Sequence, residues 1–91
     1  MTVVTDPQHH PVGIFTDGDL RRLIARHGDI RSLTVEAGMT RSPRSISPDA
    51  LAVEAAQQMD EQRLSQMLVL DGDGVLLGAL HMHDLMAAKV V

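Results

Sequence analysis

The chain has 91 residues, no cysteine, a single aromatic side chain (Phe15) and a formal charge of −4 at pH 7. A domain of this length buries only about 60 to 65% of its unfolded surface, so its margin of stability is thin. The composition excludes disulfides and thiolate chemistry. No apolar run reaches the length of a membrane span or signal-peptide core, and the negative charge is wrong for general nucleic-acid binding. A soluble, cytoplasmic domain without membrane or nucleic-acid partners is expected.

Taken in chain order, a short apolar strand at Val3 and Val4 and a second at Val12, Ile14 and Phe15 flank a turn at Asp6-Pro7. A helix follows, with Leu20, Leu23 and Ile24 spaced as an inward face and Gly28 at its C-terminal cap. Residues 29–38 are polar enough to form a surface linker. Thr40 to Ser47 is extended around Pro43, and Ser47-Pro48-Asp49 predicts a helix start with Ser47 as cap and proline at the first helical position. Leu51, Ala52, Ala55, Ala56 and Met59 make one face of that helix. Two more apolar strands flank the turn Asp71-Gly72-Asp73-Gly74, and a short helix with Leu85, Met86, Val90 and Val91 closes the chain.

Sliding the chain against itself by 65 positions aligns residues 4–20 with 69–85 without a gap. Val4 falls on Val69, Asp6 on Asp71, Gly13 on Gly78, Asp19 on Asp84 and Leu20 on Leu85. This is a duplicated unit. The complete unit, strand, helix, strand, strand, helix, runs over 39–91, whereas the first copy, over 1–28, begins at its second strand. The chain is therefore expected to be a piece of a longer protein.

Thr16-Asp17-Gly18-Asp19 stands at a helix N-terminus, where free N–H groups and the helix dipole favour an anion. Thr16 and Asp19 have capping-box spacing. The same geometry places a threonine hydroxyl on a phosphate and an aspartate on ribose hydroxyls, and the two roles are compatible. In the second copy His81, a poor cap by residue type, replaces Thr16 while Asp84 is kept, which favours an acceptor for sugar hydroxyls there.

His81 and His83 read as alternate residues of a strand that point apart, and no further Cys or His completes a metal shell, so no metal is expected. His9 and His10 lie in a turn, solvated. Arg21, Arg22 and Arg26 read as a solvated helix face. The Asp71–Gly74 run lacks the closing glutamate of a calcium loop and reads as a hairpin turn. No catalytic residue is assigned, because neither a glycine-rich phosphate loop nor a nucleophile with its base can be picked out.

"GIFTDGDL" and "GALHMHDL" resemble the recurring end of a CBS repeat, at Gly13, Thr16 and Asp19 in the first and Gly78 and Asp84 in the second; His81 departs from the pattern. The strings "GIFTDGDLRR", "ISPDALAVEAAQQM" and "LGALHMHDLMAAKVV" are similar to the C-terminal CBS pair of bacterial arabinose-5-phosphate isomerases, along essentially the whole chain. The resemblance implies an α+β fold, a CBS-domain pair of repeated β-α-β-β-α units whose first repeat lacks its N-terminal strand and helix. It implies a non-catalytic regulatory module, assembled as a homodimer or higher homo-oligomer, of an isomerase whose catalytic domain is absent here. It also implies a nucleotide effector in the cleft between the repeats, an adenine nucleotide or the nucleotide sugar CMP-Kdo, with no cofactor required. The residues so implicated are Thr16, Asp19, Thr40, Arg41, Arg44, Ile46, Met67, His81, His83 and Asp84. A purely structural oligomerisation module that binds nothing is the alternative.

Overall fold

A computed structural model of the chain describes residues 1–88. It divides into two compact units, 1–43 and 44–91. The predicted contributions of Val90 and Val91 to the last helix lie outside the described residues.

In the first unit, strands β1 (Thr2–Thr5) and β2 (Pro11–Phe15) pair antiparallel, helix α1 (Asp17–His27) follows, and a short helix α2 (Val35–Gly38) leads into strand β3 (Thr40–Arg41), which pairs antiparallel with β2. The segment expected as a plain linker thus contains a helical turn. Gly38 at its end is buried against α1 and β2, where a Cβ would lie 3.0 Å from both Leu23 Cδ2 and Phe15 Cε2. Leu23 is buried as expected, but Leu20 and Ile24 remain well exposed. Gly28 caps α1 with a positive φ of 72° and donates its N–H to the Ile24 carbonyl at 2.7 Å.

In the second unit, β4 (Ser45–Ile46) runs parallel to β5 (Gln66–Leu70), which pairs antiparallel with β6 (Leu76–His81). Helices α3 (Ala52–Gln62) and α4 (Met82–Ala87) close a core of Ala55, Ala56, Met59, Met67 and Leu85, with Ile46, Leu64, Leu80 and Met82 packed against it. With no aromatic ring available, unbranched methionine fills the centre.

Helix α3 starts later than its sequence signals predict. Ser47 accepts the Asp49 N–H on its hydroxyl at 3.2 Å and the Ala50 N–H on its carbonyl at 3.1 Å, closing one isolated turn. Leu51 is then extended, and the helical bonds begin at its carbonyl. Leu51 and Ala52 are consequently exposed, leaving Ala55, Ala56 and Met59 as the buried face. The helix ends on Arg63 in the left-handed region, with the Leu64 N–H returning to the Met59 carbonyl at 2.8 Å.

The duplication persists in the pairing. Thr2↔Phe15, Val3↔Ile14, Val4↔Gly13 and Thr5↔Pro11 recur as Met67↔Leu80, Leu68↔Ala79, Val69↔Gly78 and Leu70↔Leu76, with the register shifting after Val4 and again after Val69. Both hairpins turn on an aspartate. Asp6 Oδ1 accepts the N–H groups of Gln8 and His10, as Asp71 Oδ1 accepts those of Asp73 and Val75.

Candidate functional site

The candidate residues fall into both units: Thr16, Asp19, Thr40 and Arg41 in the first, and Arg44, Ile46, Met67, His81, His83 and Asp84 in the second.

In the first unit Thr16 closes the capping box read from the sequence: its hydroxyl accepts the Asp19 N–H at 3.2 Å, and Asp19 Oδ2 accepts the Thr16 N–H at 2.8 Å. The Thr16 hydroxyl also lies 3.0 Å from that oxygen. Asp19 Oδ1 takes an Arg22 guanidinium N–H at 2.7 Å and the Thr40 hydroxyl at 2.7 Å. Asp19 is only 3% exposed. Burial, the largest single influence, pushes its carboxyl up. The hydrogen bonds from Thr40, Arg22 and Thr16 together outweigh burial and hold it below the usual carboxylate range. Arg22 lies on the solvated face as expected, its side chain 65% exposed, and from there it also pairs with Asp19; the signal for the pair was its spacing of three from Asp19 on one helix. Arg41 is paired to Glu36 of α2 at 3.1 Å, on the surface.

In the second unit, His81 ends β6 and His83 already belongs to α4, so they are not alternate residues of one strand. Their rings meet edge to face with centroids 6.4 Å apart. His81 does cap its helix: its Nδ1 accepts the His83 N–H at 3.0 Å, while Asp84 Oδ2 accepts the His81 N–H at 3.0 Å. This corrects the argument that Asp84 had lost its capping partner, for an imidazole nitrogen without its proton accepts as a hydroxyl does. In a neutral ring this bond leaves the proton on Nε2. Asp84 is exposed, and its Oδ1 has no partner among the described residues. Arg44 is exposed and forms no ion pair among the described residues, although its backbone carbonyl receives the Leu68 N–H. Met67 is a core residue, 2% exposed. Ile46 is half-buried and borders, with Ala55, Val69, Leu80 and Leu85, an apolar hollow of about 280 Å³. A hollow so lined suits an apolar group rather than a phosphate. Among the described residues no group of three or more His, Asp or Glu is placed to hold a metal ion, and no helix is long and apolar enough to cross a membrane.

The turn, cap and pairing geometry, twice repeated, accompanies a family match: the CBS domain matches residues 29–91. The chain belongs to the CBS domain family. Arabinose 5-phosphate isomerase KdsD of Salmonella typhi is 47% identical to it over 91 residues, all of this chain and 27% of that protein. KdsD of Pseudomonas aeruginosa is 42% identical over the same span, 28% of its length. The CBS chain thus spans little more than a quarter of these relatives. Among solved structures, the CBS domain pair of protein MJ0100, in complex with 5′-methylthioadenosine and S-adenosyl-L-methionine, matches at a TM-score of 0.83 with 23% identity, covering 97% of this chain and 68% of that one. CBSX2 in complex with AMP matches at 0.74 with 28% identity, covering 97% and 69%. The fold is that of a CBS-domain pair.

Proposed function

We propose that this chain is the non-catalytic, ligand-sensing module of an arabinose 5-phosphate isomerase, and that it binds a nucleotide or nucleotide sugar such as CMP-Kdo. The parent enzyme, on this reading, interconverts ribulose 5-phosphate and arabinose 5-phosphate in the cytoplasm for Kdo and lipopolysaccharide synthesis. Its active site lies in a separate sugar-isomerase domain, and the whole assembles as a homo-oligomer. The end-to-end similarity to KdsD, at 47% identity, carries this assignment.

For the ligand, the supporting observation is Asp84, an exposed residue with one carboxylate oxygen in the cap of α4 and no partner for the other among the described residues. A ribose hydroxyl donates to such an oxygen. His81 and His83 beside it, and Arg44 of the same unit, which forms no ion pair among the described residues, are donors for phosphate or carboxylate, each contact contributing about 1.5 to 3 kcal/mol. In the first unit Thr16, Asp19 and Thr40 are bonded to one another and Arg41 to Glu36, so this reading places the ligand on the second unit, where Ile46 borders the apolar hollow and Met67 supports it from the core. An adenine nucleotide is the other ligand supported, since CBSX2 is solved with AMP. Titration calorimetry of CMP-Kdo and of AMP into the chain tests the reading. Saturable heat with a raised melting temperature is expected; neither heat nor stabilisation at millimolar concentrations of both removes it.

A purely structural assembly module is the second reading. Val53 on α3 and Met86 on α4 favour it, being 56% and 58% exposed although apolar. Asp84→Ala separates the two: an assembly module keeps its oligomeric state and shows no change in nucleotide response, whereas a sensor loses ligand stabilisation.

A further inference from the structure

We infer that the start of α4 is a proton-sensitive cap: His81 holds the helix end only while Nδ1 of its ring carries no proton, whereas Thr16, which stands at the same place in the first repeat, caps α1 without regard to pH. Neither state requires a ligand.

The first N–H groups of a helix must find acceptors outside it. At α1 the Thr16 hydroxyl oxygen accepts the Asp19 N–H at 3.2 Å, and a hydroxyl oxygen keeps its lone pairs at any ordinary pH. At α4 the acceptor of the His83 N–H, 3.0 Å away, is an imidazole nitrogen. The proton that makes the ring cationic occupies the one lone pair with which that nitrogen accepts, so both ring nitrogens become donors. Nδ1–H then faces the His83 N–H, donor against donor, at the end of a helix dipole that disfavours positive charge. The ring must turn away, and the His83 N–H loses its partner.

The titratable and charged groups of the second unit about this ring pull in both directions. The His83 ring of α4 meets it edge to face with centroids 6.4 Å apart, so a charge on either imidazole opposes one on the other. Asp84, also of α4, accepts the His81 N–H on Oδ2 at 3.0 Å, and its charge attracts a cationic ring, which favours the turned-away state over the capped one. Strand β5 sets the uncharged Gln66 opposite His81, and α3 contributes Asp60, which shares a groove with Met82, the first residue of α4. One anchor of the helix start takes no proton: the Met82 N–H donates to the Ser65 carbonyl at 2.8 Å. Protonation therefore loosens the first turn of α4 while this bond still holds it. Asp19, kept below the ordinary 3.8, titrates well below the range of an ordinary imidazole, about pH 5 to 8, so the two acid responses stay apart.

The experiment follows backbone amide hydrogen exchange in the parent chain, His81→Ser and His83→Gln between about pH 8 and pH 5. Each amide is expressed as protection relative to its unstructured rate, so the intrinsic pH dependence of exchange cancels. In the parent chain, protection of the His83 amide is expected to fall at least about threefold across this range, the loss of a cap, while that of the Asp19 amide, held by Thr16, stays constant. His81→Ser supplies a hydroxyl oxygen and is expected to hold the protection constant. His83→Gln removes the neighbouring imidazole and is expected to keep the fall. A His83 amide of the parent chain that is unprotected at the alkaline end, or whose protection does not change, overturns the proton-sensitive cap. So does a fall that persists in His81→Ser. A fall that vanishes in His83→Gln assigns the proton to the other ring and overturns it as well.

Discussion

His9 and Gly74 stand 65 positions apart and share one backbone conformation, with φ of 66° and 81°. Each follows the aspartate that organises its hairpin by three residues, and at that place the chain turns left-handed. Glycine adopts this region freely; an L side chain there costs about 1 to 2 kcal/mol, against an entropic cost of about 0.5 to 1 kcal/mol for glycine in the unfolded chain. The first hairpin thus carries strain that the second lacks. His9→Gly is expected to raise stability by about 0.5 to 1 kcal/mol, and Gly74→Ala to lower it by a similar amount, read from denaturant midpoints at constant m-value.

Gly13 and Gly78 are also a duplicated pair, yet only one is required sterically. An added Cβ at Gly13 would come within 2.7 Å of Met39 Sδ and 2.9 Å of the Thr40 carbonyl oxygen, and the second of these belongs to a backbone paired across β2 and β3. The methionine end can move; the carbonyl can move only with its strand. Gly13→Ala is expected to cost about 1 to 3 kcal/mol, and Gly78→Ala, with open space around it, to lie within about 0.5 kcal/mol of the parent. Melts of the two variants side by side check the asymmetry.

The hairpins, the α1 cap at Gly28 and the repeat itself were legible because they are local: each is set by residues within a few positions, and the duplication supplies a second reading of the same signals. What was not legible depended on burial. The spacing of Asp19 and Arg22 permits an ion pair, but whether it forms depends on Thr40, twenty-one positions on, bringing β3 over the carboxylate. Ser47-Pro48-Asp49 carries the chemistry of a helix start, and the chain uses it for a single turn instead, so the first helical residue moved to Ala52. His81 ranks low as a cap by residue type, yet its Nδ1 lies where a serine oxygen would reach. In the candidate site, the three-residue spacing of His81 and Asp84 is that of the cap bond the Asp84 carboxylate makes to the His81 N–H. Assigning Met67 to the core needed the packing of α3 and α4.

Acid should unfold the first unit through Asp19. Burial raises its carboxyl, but the bonds from Thr40, Arg22 and Thr16 more than compensate and hold it below 3.8, the ordinary value. Between the lowered folded value and 3.8 the unfolded chain binds more protons than the folded one, so stability rises with pH across that window. The contribution is fully present above the ordinary value and is lost as pH falls through the folded one. Asp6, half-buried and held low chiefly by the His10 backbone N–H, and Asp29, exposed and held low by the Arg31 side chain, add a background that substitutions at Asp19 leave alone. Asp19→Asn is expected to flatten the fall in melting temperature below roughly pH 4. A profile parallel to that of the parent would show that the Asp19 bonds do not favour the ionised form.

His81 holds two roles that substitution can separate. Its Nδ1 caps α4 through the His83 N–H, and its ring stands beside Asp84 as a donor for an anionic ligand group. Serine restores a good cap oxygen without the imidazole, whereas alanine removes both. His81→Ala is therefore expected to lose about 0.5 to 2 kcal/mol of cap stability, seen as faster hydrogen exchange of the His83 amide, and His81→Ser to keep that amide protected. Binding of CMP-Kdo should weaken in both variants to a similar degree, since both lack the imidazole. If serine preserves affinity as well as protection, the ring serves the helix alone, and the negative groups of the ligand must be met by His83 and Arg44.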